Sequence, residues 1–260
     1  MNTSEAALGT RNNALWCDAV CRAHGRPGEF QAGLWLNRQP VPRFYSNAIT
    51  LSPKDPVGQR AWVEHLMTRR PGFSVKDSFA TLDLSGLGFD VLFEATWLWR
   101  DPVRRTFLSA SHLLEGQKKV HRTSESATHR ELSWLVVQDA AGLARWEAAW
   151  AGLHAGQVVP GSERIFRGGL LHEPGVALLA GTRAGQIVAV AAANQTGDVV
   201  GLSNVFAPAV EAATVWADVV DYVGELFPGR PLVGYERGDD LALALGVGFR
   251  AVGPLRVWAR

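Results

Sequence analysis

Residues 175–208, GVALLAGTRAGQIVAVAAANQTGDVVGLSNVFAP, hold three short apolar runs separated by Arg183-Ala184-Gly185-Gln186 and Gln195-Thr196-Gly197-Asp198. The separators have turn chemistry, and the Val- and Ile-bearing runs between them favour extended backbone. The stretch therefore predicts a three-strand antiparallel meander. Upstream, Leu143, Trp146, Trp150 and Leu153 recur at helical spacing. Downstream, Val215, Trp216, Val219, Val220, Val223 and Leu226 do the same, in a helix expected to begin near Ala209. A strand around Pro231 to Glu236, a short helix at Asp239 to Leu245 and a last strand or strand pair at the C-terminus complete the order.

An echo of this pattern lies earlier in the chain. Ser46-Asn47-Ala48-Ile49-Thr50-Leu51-Ser52-Pro53 resembles Ser203-Asn204-Val205-Phe206-Ala207-Pro208, and each leads into a helix bearing a tryptophan, Trp62 or Trp216. Gly86-Leu87-Gly88-Phe89 and a strand ending Trp97-Leu98-Trp99-Arg100 match Gly246-Val247-Gly248-Phe249 and a strand ending Val257-Trp258-Ala259-Arg260. Two ordered anchors around the same helix pattern point to an internal duplication. The expected organisation is a truncated first half over residues 1–100, a linker over 101–130 and a second half over 131–260. The linker is rich in Arg, Ser, Thr, His and Lys, and reads as a solvated surface.

At 260 residues, 47% of them hydrophobic and 20% charged, the chain can bury a substantial core in two domains. A formal net charge of +1 gives no field that would draw it to nucleic acid or a membrane surface, so neither is expected as a partner. The start, MNTSEAALGTRNN, lacks the charged and apolar regions of a secretion signal, which predicts a cytoplasmic protein. Cys17 and Cys21 share one predicted helix with His24, but no second ligand pair accompanies them, so they read as buried thiols and no metal is expected. Gly-x-Ser-x-Gly, P-loop and dinucleotide fingerprints are absent from the sequence.

From about Glu131 to Arg260 the order helix, meander, helix, strand, short helix and Gly248-Phe249 entering a final strand resembles the GNAT superfamily of acyl-CoA-dependent N-acyltransferases. That resemblance implies an α/β fold of two GNAT-like halves with a mixed, mostly antiparallel sheet flanked by helices. It also implies that the strand matching Gly201 to Ala207 splays from its neighbour, so that exposed backbone receives the pantetheine of acetyl-CoA or another acyl-CoA. The arm would run along Val205, Phe206 and Ala207, with pyrophosphate near the amides of Ala212, Ala213 and Thr214 at a helix start. The family's phosphate loop carries a basic residue and glycines; Pro208-Ala209-Val210-Glu211-Ala212-Ala213-Thr214 has neither, and Glu211 adds a repelling charge. Ser52 to Arg60 is the alternative phosphate loop, read otherwise as an ordinary helix start.

The resemblance also implies transfer of an acyl group to a small amine. Ala244 stands where many members carry an acidic tyrosine, so Tyr235 as acid, Glu236 as base and Asn204 as an orienting group are the candidate catalytic residues. Strand alternation would turn one of Ser203 and Asn204 inward and the other outward. In the first repeat Asp77 and Ser78 occupy roughly the positions of Tyr235 and Glu236, and turn chemistry is favoured for them. Two other readings stand beside acyl transfer: a catalytically silent binding protein, and a repurposed enzyme acting on a thioester or amino-acid-like ligand. Oligomeric state is not legible in the sequence.

Overall fold

β7 (Val176–Arg183), β8 (Gln186–Thr196) and β9 (Val199–Phe206) form the expected antiparallel meander, with Leu179 opposite Ala191 and Ala193 opposite Leu202. Ala184 and Gly185 both have positive φ, 50° and 78°, as a two-residue hairpin turn matched to strand twist requires. Leu178, Ala180, Val190 and Ala192 pack into one core, and Ala177, Leu179, Ala191 and Ala193 into another. Both faces are thus covered, which is why these strands read as continuous apolar runs.

The computed structural model describes residues 3–67, 72–102, 132–154 and 156–260. Apart from Asp101 and Pro102, the expected linker lies outside them. Four elements flank the meander in the second half: β6 (Ser133–Val136), α3 (Ala140–Trp150), α4 (Ala212–Leu226) and α5 (Gly238–Gly246). β10 (Leu232–Glu236) and β11 (Arg250–Ala259) complete it. Val215, Trp216, Val219, Val220 and Val223 of α4 are buried as their spacing predicts, whereas Leu226, at the helix end, is exposed. Leu143 and Trp146 of α3 are buried; Leu153 lies beyond the helix and is exposed.

The first half opens with α1 (Thr3–Ala23), followed by three-residue strands β1 (Glu29–Gln31), β2 (Leu34–Leu36) and β3 (Ala48–Thr50). Then come α2 (Pro56–Met67), β4 (Ser74–Asp77) and β5 (Asp90–Arg100). β3, α2 and a parallel β4 repeat the arrangement of β9, α4 and a parallel β10. Leu34, Leu36, Ala48 and Val75 pack under Val63 and Leu66 of α2. Trp35 and Ile49 point the other way, into the core under α1 and α3.

All eleven strands of the described residues join one sheet in the order β1-β2-β3-β4-β11-β5-β10-β9-β8-β7-β6. The last strand of each half has crossed over: β5 pairs with β10, and β11 pairs with β4. The two exchanged strands pair with each other antiparallel at the centre. α1 is tied to the second half by reciprocal carboxamide bonds, Asn12 Nδ2 to the Asn194 carbonyl at 2.8 Å and Asn194 Nδ2 to the Asn12 carbonyl at 3.2 Å. No helix among the described residues is long and apolar enough to cross a membrane.

Candidate active site

β9 and β10 pair in parallel only at Val200–Leu232 and Gly201–Val233, although β9 runs on to Phe206 and β10 to Glu236. A Cβ at Gly234 would sit 2.8 Å from the Leu202 carbonyl oxygen, so the strands touch there before they part. The parting has a local cause in β9. Val190 of β8 faces Phe206 and Ala192 faces Ser203, which leaves Asn204 and Val205 opposite the single residue Ala191. Asn204 takes φ 55°, a left-handed conformation that asparagine tolerates better than most residues, and the resulting bulge turns the strand end away. The bulge also breaks alternation: Ser203 Oγ donates to Asn204 Oδ1 at 3.1 Å, and both residues line one cleft rather than opposite faces.

That cleft, of about 260 Å3, brings Asn204, Val205, Tyr235 and Glu236 together with Asn13 of α1 and Lys76 of β4. A Cβ at Gly201 would overlap the Asn12 and Asn194 carboxamides, so glycine is what lets α1 seat against its floor. Phe44, on the rim at 69% exposure, packs edge-on against Trp150 at 5.9 Å between ring centroids. Burial, reinforced by the nearby Asp240 carboxylate, pushes the Glu236 carboxyl up to about 8. At neutral pH it therefore holds its proton, and it becomes a base just above.

Lys76 was not among the residues singled out by sequence, yet it is central to the geometry. Its Nζ donates to Asn13 Oδ1 at 2.7 Å and to the Tyr235 hydroxyl oxygen at 3.1 Å. Burial alone would lower its pKa, but the acidic groups of Tyr235 and Cys17 beside it outweigh burial and raise it. Register explains the encounter. Lys76 faces Val257 in β11 and Tyr235 faces Trp97 in β5, so the two are equivalent positions of the repeat. Asp77 is accordingly the counterpart of Glu236, one residue away from the correspondence drawn from the sequence. Asp77 accepts from the Leu82 amide at 2.7 Å and shapes the turn after β4, as its turn reading anticipated. Flanked by polar Ser74 and Asp77 in Ser-Val-Lys-Asp, Lys76 carries no local signal in the sequence.

The expected phosphate end lies apart from this cleft. Phe206 packs against the core under α1 and α3, and Ala207, Ala212, Ala213 and Thr214 do not line the cleft. The Ala212 amide donates to the Ala209 carbonyl in a 3-10 turn, so of the three predicted amides this one already has a partner. No side chain caps α4. Glu211 is held by Arg183, with Nη1–Oε1 at 2.8 Å and Nη2–Oε2 at 2.6 Å, which offsets its charge. The alternative loop at 52–60 is self-contained: Asp55 Oδ1 accepts from the Gly58 amide at 2.9 Å and caps α2 with a carboxylate. Cys17 and Cys21 are buried, burial raises both thiols, and His24 bonds the Ile165 carbonyl at 2.7 Å.

No protein-family model and no curated protein sequence matches the chain. Solved structures do. A GCN5-related N-acetyltransferase from Kribbella flavida superposes with a TM-score of 0.57 at 14% identity, covering 100% of this chain and 96% of that one. A tandem GNAT protein from the clavulanic acid biosynthesis pathway, determined without AcCoA, gives 0.53 at 13% identity, over 96% and 94%. A conserved protein of unknown function from Staphylococcus epidermidis gives 0.56 at 10% identity, over 87% and 83%. With the strand order and the splay of β9 from β10, these likenesses establish the architecture: the chain has the GNAT fold, built as two halves in tandem on one shared sheet.

Proposed function

We propose that the protein is an N-acyltransferase that moves an acetyl or other acyl group from a coenzyme A thioester to a small amine. The observation that carries this reading is the bulge-driven splay of β9 from β10, which leaves residues 234–236 without a β9 partner beside a cleft lined by Glu236, Tyr235 and Asn204. A pantetheine arm carries amides that such unpaired strand edges can satisfy. In this reading Glu236 takes the proton of the ammonium acceptor, and Asn204 orients acceptor or thioester. Tyr235, whose oxygen already accepts from Lys76, keeps its own proton to donate to the departing thiolate. Positioning supplies most of the rate, because holding amine and thioester in reacting geometry replaces a bimolecular encounter. The test is release of free thiol from acetyl-CoA in the presence of a panel of small amines. Amine-dependent release that is lost in Glu236→Gln supports the proposal, and no release with any amine contradicts it.

A second reading, a silent protein that uses the cleft only to bind, is favoured by the start of α4, which offers neither glycine nor an unpaired basic group to a pyrophosphate. Binding of small molecules without thiol release would select it.

A further inference from the structure

Lys76 is a charged group in the wrong surroundings for a purely structural role. It is 6% exposed and lines the cleft, and its hydrogen-bond partners are a carboxamide and a phenol. The ion pairs found among the described residues all lie elsewhere. Asp77, its neighbour in sequence, is turned away into the loop at 79–82. The Cys17 thiol is buried, and burial raises its pKa. A buried ammonium with no anion is costly, and a ligand that brings the anion recovers that cost.

We propose that the acceptor taken by this cleft is amino-acid-like, and that its carboxylate binds the Lys76 ammonium. The assignment rests on the acyl-transfer reading for the role of the amine only; the carboxylate site stands on Lys76 itself. Size agrees: about 260 Å3 lies below the roughly 300–1,000 Å3 of drug-sized sites and suits a molecule with few heavy atoms. Side agrees as well. Lys76 reaches Asn13 of α1, whereas α4 packs on the opposite face of the sheet, so this cation is not placed to meet a pyrophosphate at the start of α4. Glu236, on the same cleft, is the group toward which the amine would point.

The test is calorimetric binding of the common amino acids, each paired with the amine left by removing its carboxylate, with acetyl-CoA affinity measured on the same preparations. The expected result is that at least one amino acid binds about 100-fold more tightly than its matched amine, the scale of supplying a partner to a buried charge. That preference should vanish in Lys76→Met, which should melt no lower than the parent because it removes an unpaired charge. Asn13→Asp covers the case in which Lys76→Met does not fold. It places a carboxylate where Oδ1 already lies 2.7 Å from Nζ, and should abolish the preference by neutralising the site internally. Equal or weaker binding of every amino acid relative to its amine, or a full preference retained in either variant, would overturn the proposal. Amino-acid binding without acetyl-CoA binding would instead leave the carboxylate site standing and remove acyl transfer.

Discussion

Leu255 faces Ala95 at the middle of the β5–β11 ladder, and the two are the same position of the internal repeat, each standing nine residues beyond Gly246 or Gly86. Pairs on either side mirror one another: Glu94 with Arg256 and Thr96 with Pro254, then Phe93 with Val257 and Trp97 with Gly253. The two register shifts, at Ala251/Gly253 and Val257/Trp258, are mirrored too. The centre of the sheet is thus a local two-fold contact between exchanged strands. Neither half then owns a complete sheet. A chain ending at Gly248 lacks the strand that pairs with both β4 and β5, and it should show no cooperative melting transition. Leu255→Ala, at a fully buried site, should cost about 2–5 kcal/mol in denaturant titration.

The repeat and the meander were legible because turn residues and apolar periodicity are local. Gly86-Leu87-Gly88-Phe89 and Gly246-Val247-Gly248-Phe249 fix the correspondence, but nothing in either segment tells which half's sheet its strand enters. That choice is made by long-range pairing. The site divides in the same way. Glu236 and Tyr235 follow from the strand that carries them, and Asn204 from its place before the predicted helix. Lys76 is inconspicuous in Ser-Val-Lys-Asp until α1, which begins far away in sequence, closes over it. The partnering of the Ala212 amide depends on the 3-10 turn at Ala209–Glu211, which composition does not announce.

Asn204 separates backbone from side-chain effects. Asn204→Gly retains the φ of 55° and should keep the bulge, with stability near the parent's. Asn204→Val forces a β-branched residue into that conformation and should cost about 1–3 kcal/mol. If the splay depends on the bulge, acetyl-CoA affinity falls in the valine variant and not in the glycine one.

Glu236 makes both activity and stability depend on pH. Its folded-state pKa of about 8 lies above the ordinary 4.5, so the folded protein binds more protons than the unfolded chain between those values. Stability is therefore lost as pH rises through this window. Glu236→Gln should gain melting temperature relative to the parent as pH goes from 5 to 8, a trend that parallel melts would read directly. For catalysis, kcat/KM should rise through about pH 8 as the base is freed, and the rise should be absent in the variant.

Arg183 and Glu211 form the charge pair nearest the start of α4. Glu211→Gln removes the one acid at this helix start that would repel a phosphate, so acetyl-CoA affinity should increase about tenfold. Titration of this variant beside the parent checks the direction; unchanged affinity would place the phosphate away from this pair.

Calorimetric titration with acetyl-CoA of the parent and of Ala213→Glu measures the central claim, that the splayed wedge and the start of α4 hold a coenzyme A thioester. A helix start tolerates an acid, so the variant should fold normally. Saturable heat in the parent, weakened about tenfold or more in the variant by one repelling charge at the phosphate, is the predicted result. Absence of heat in the parent at millimolar acetyl-CoA would contradict it.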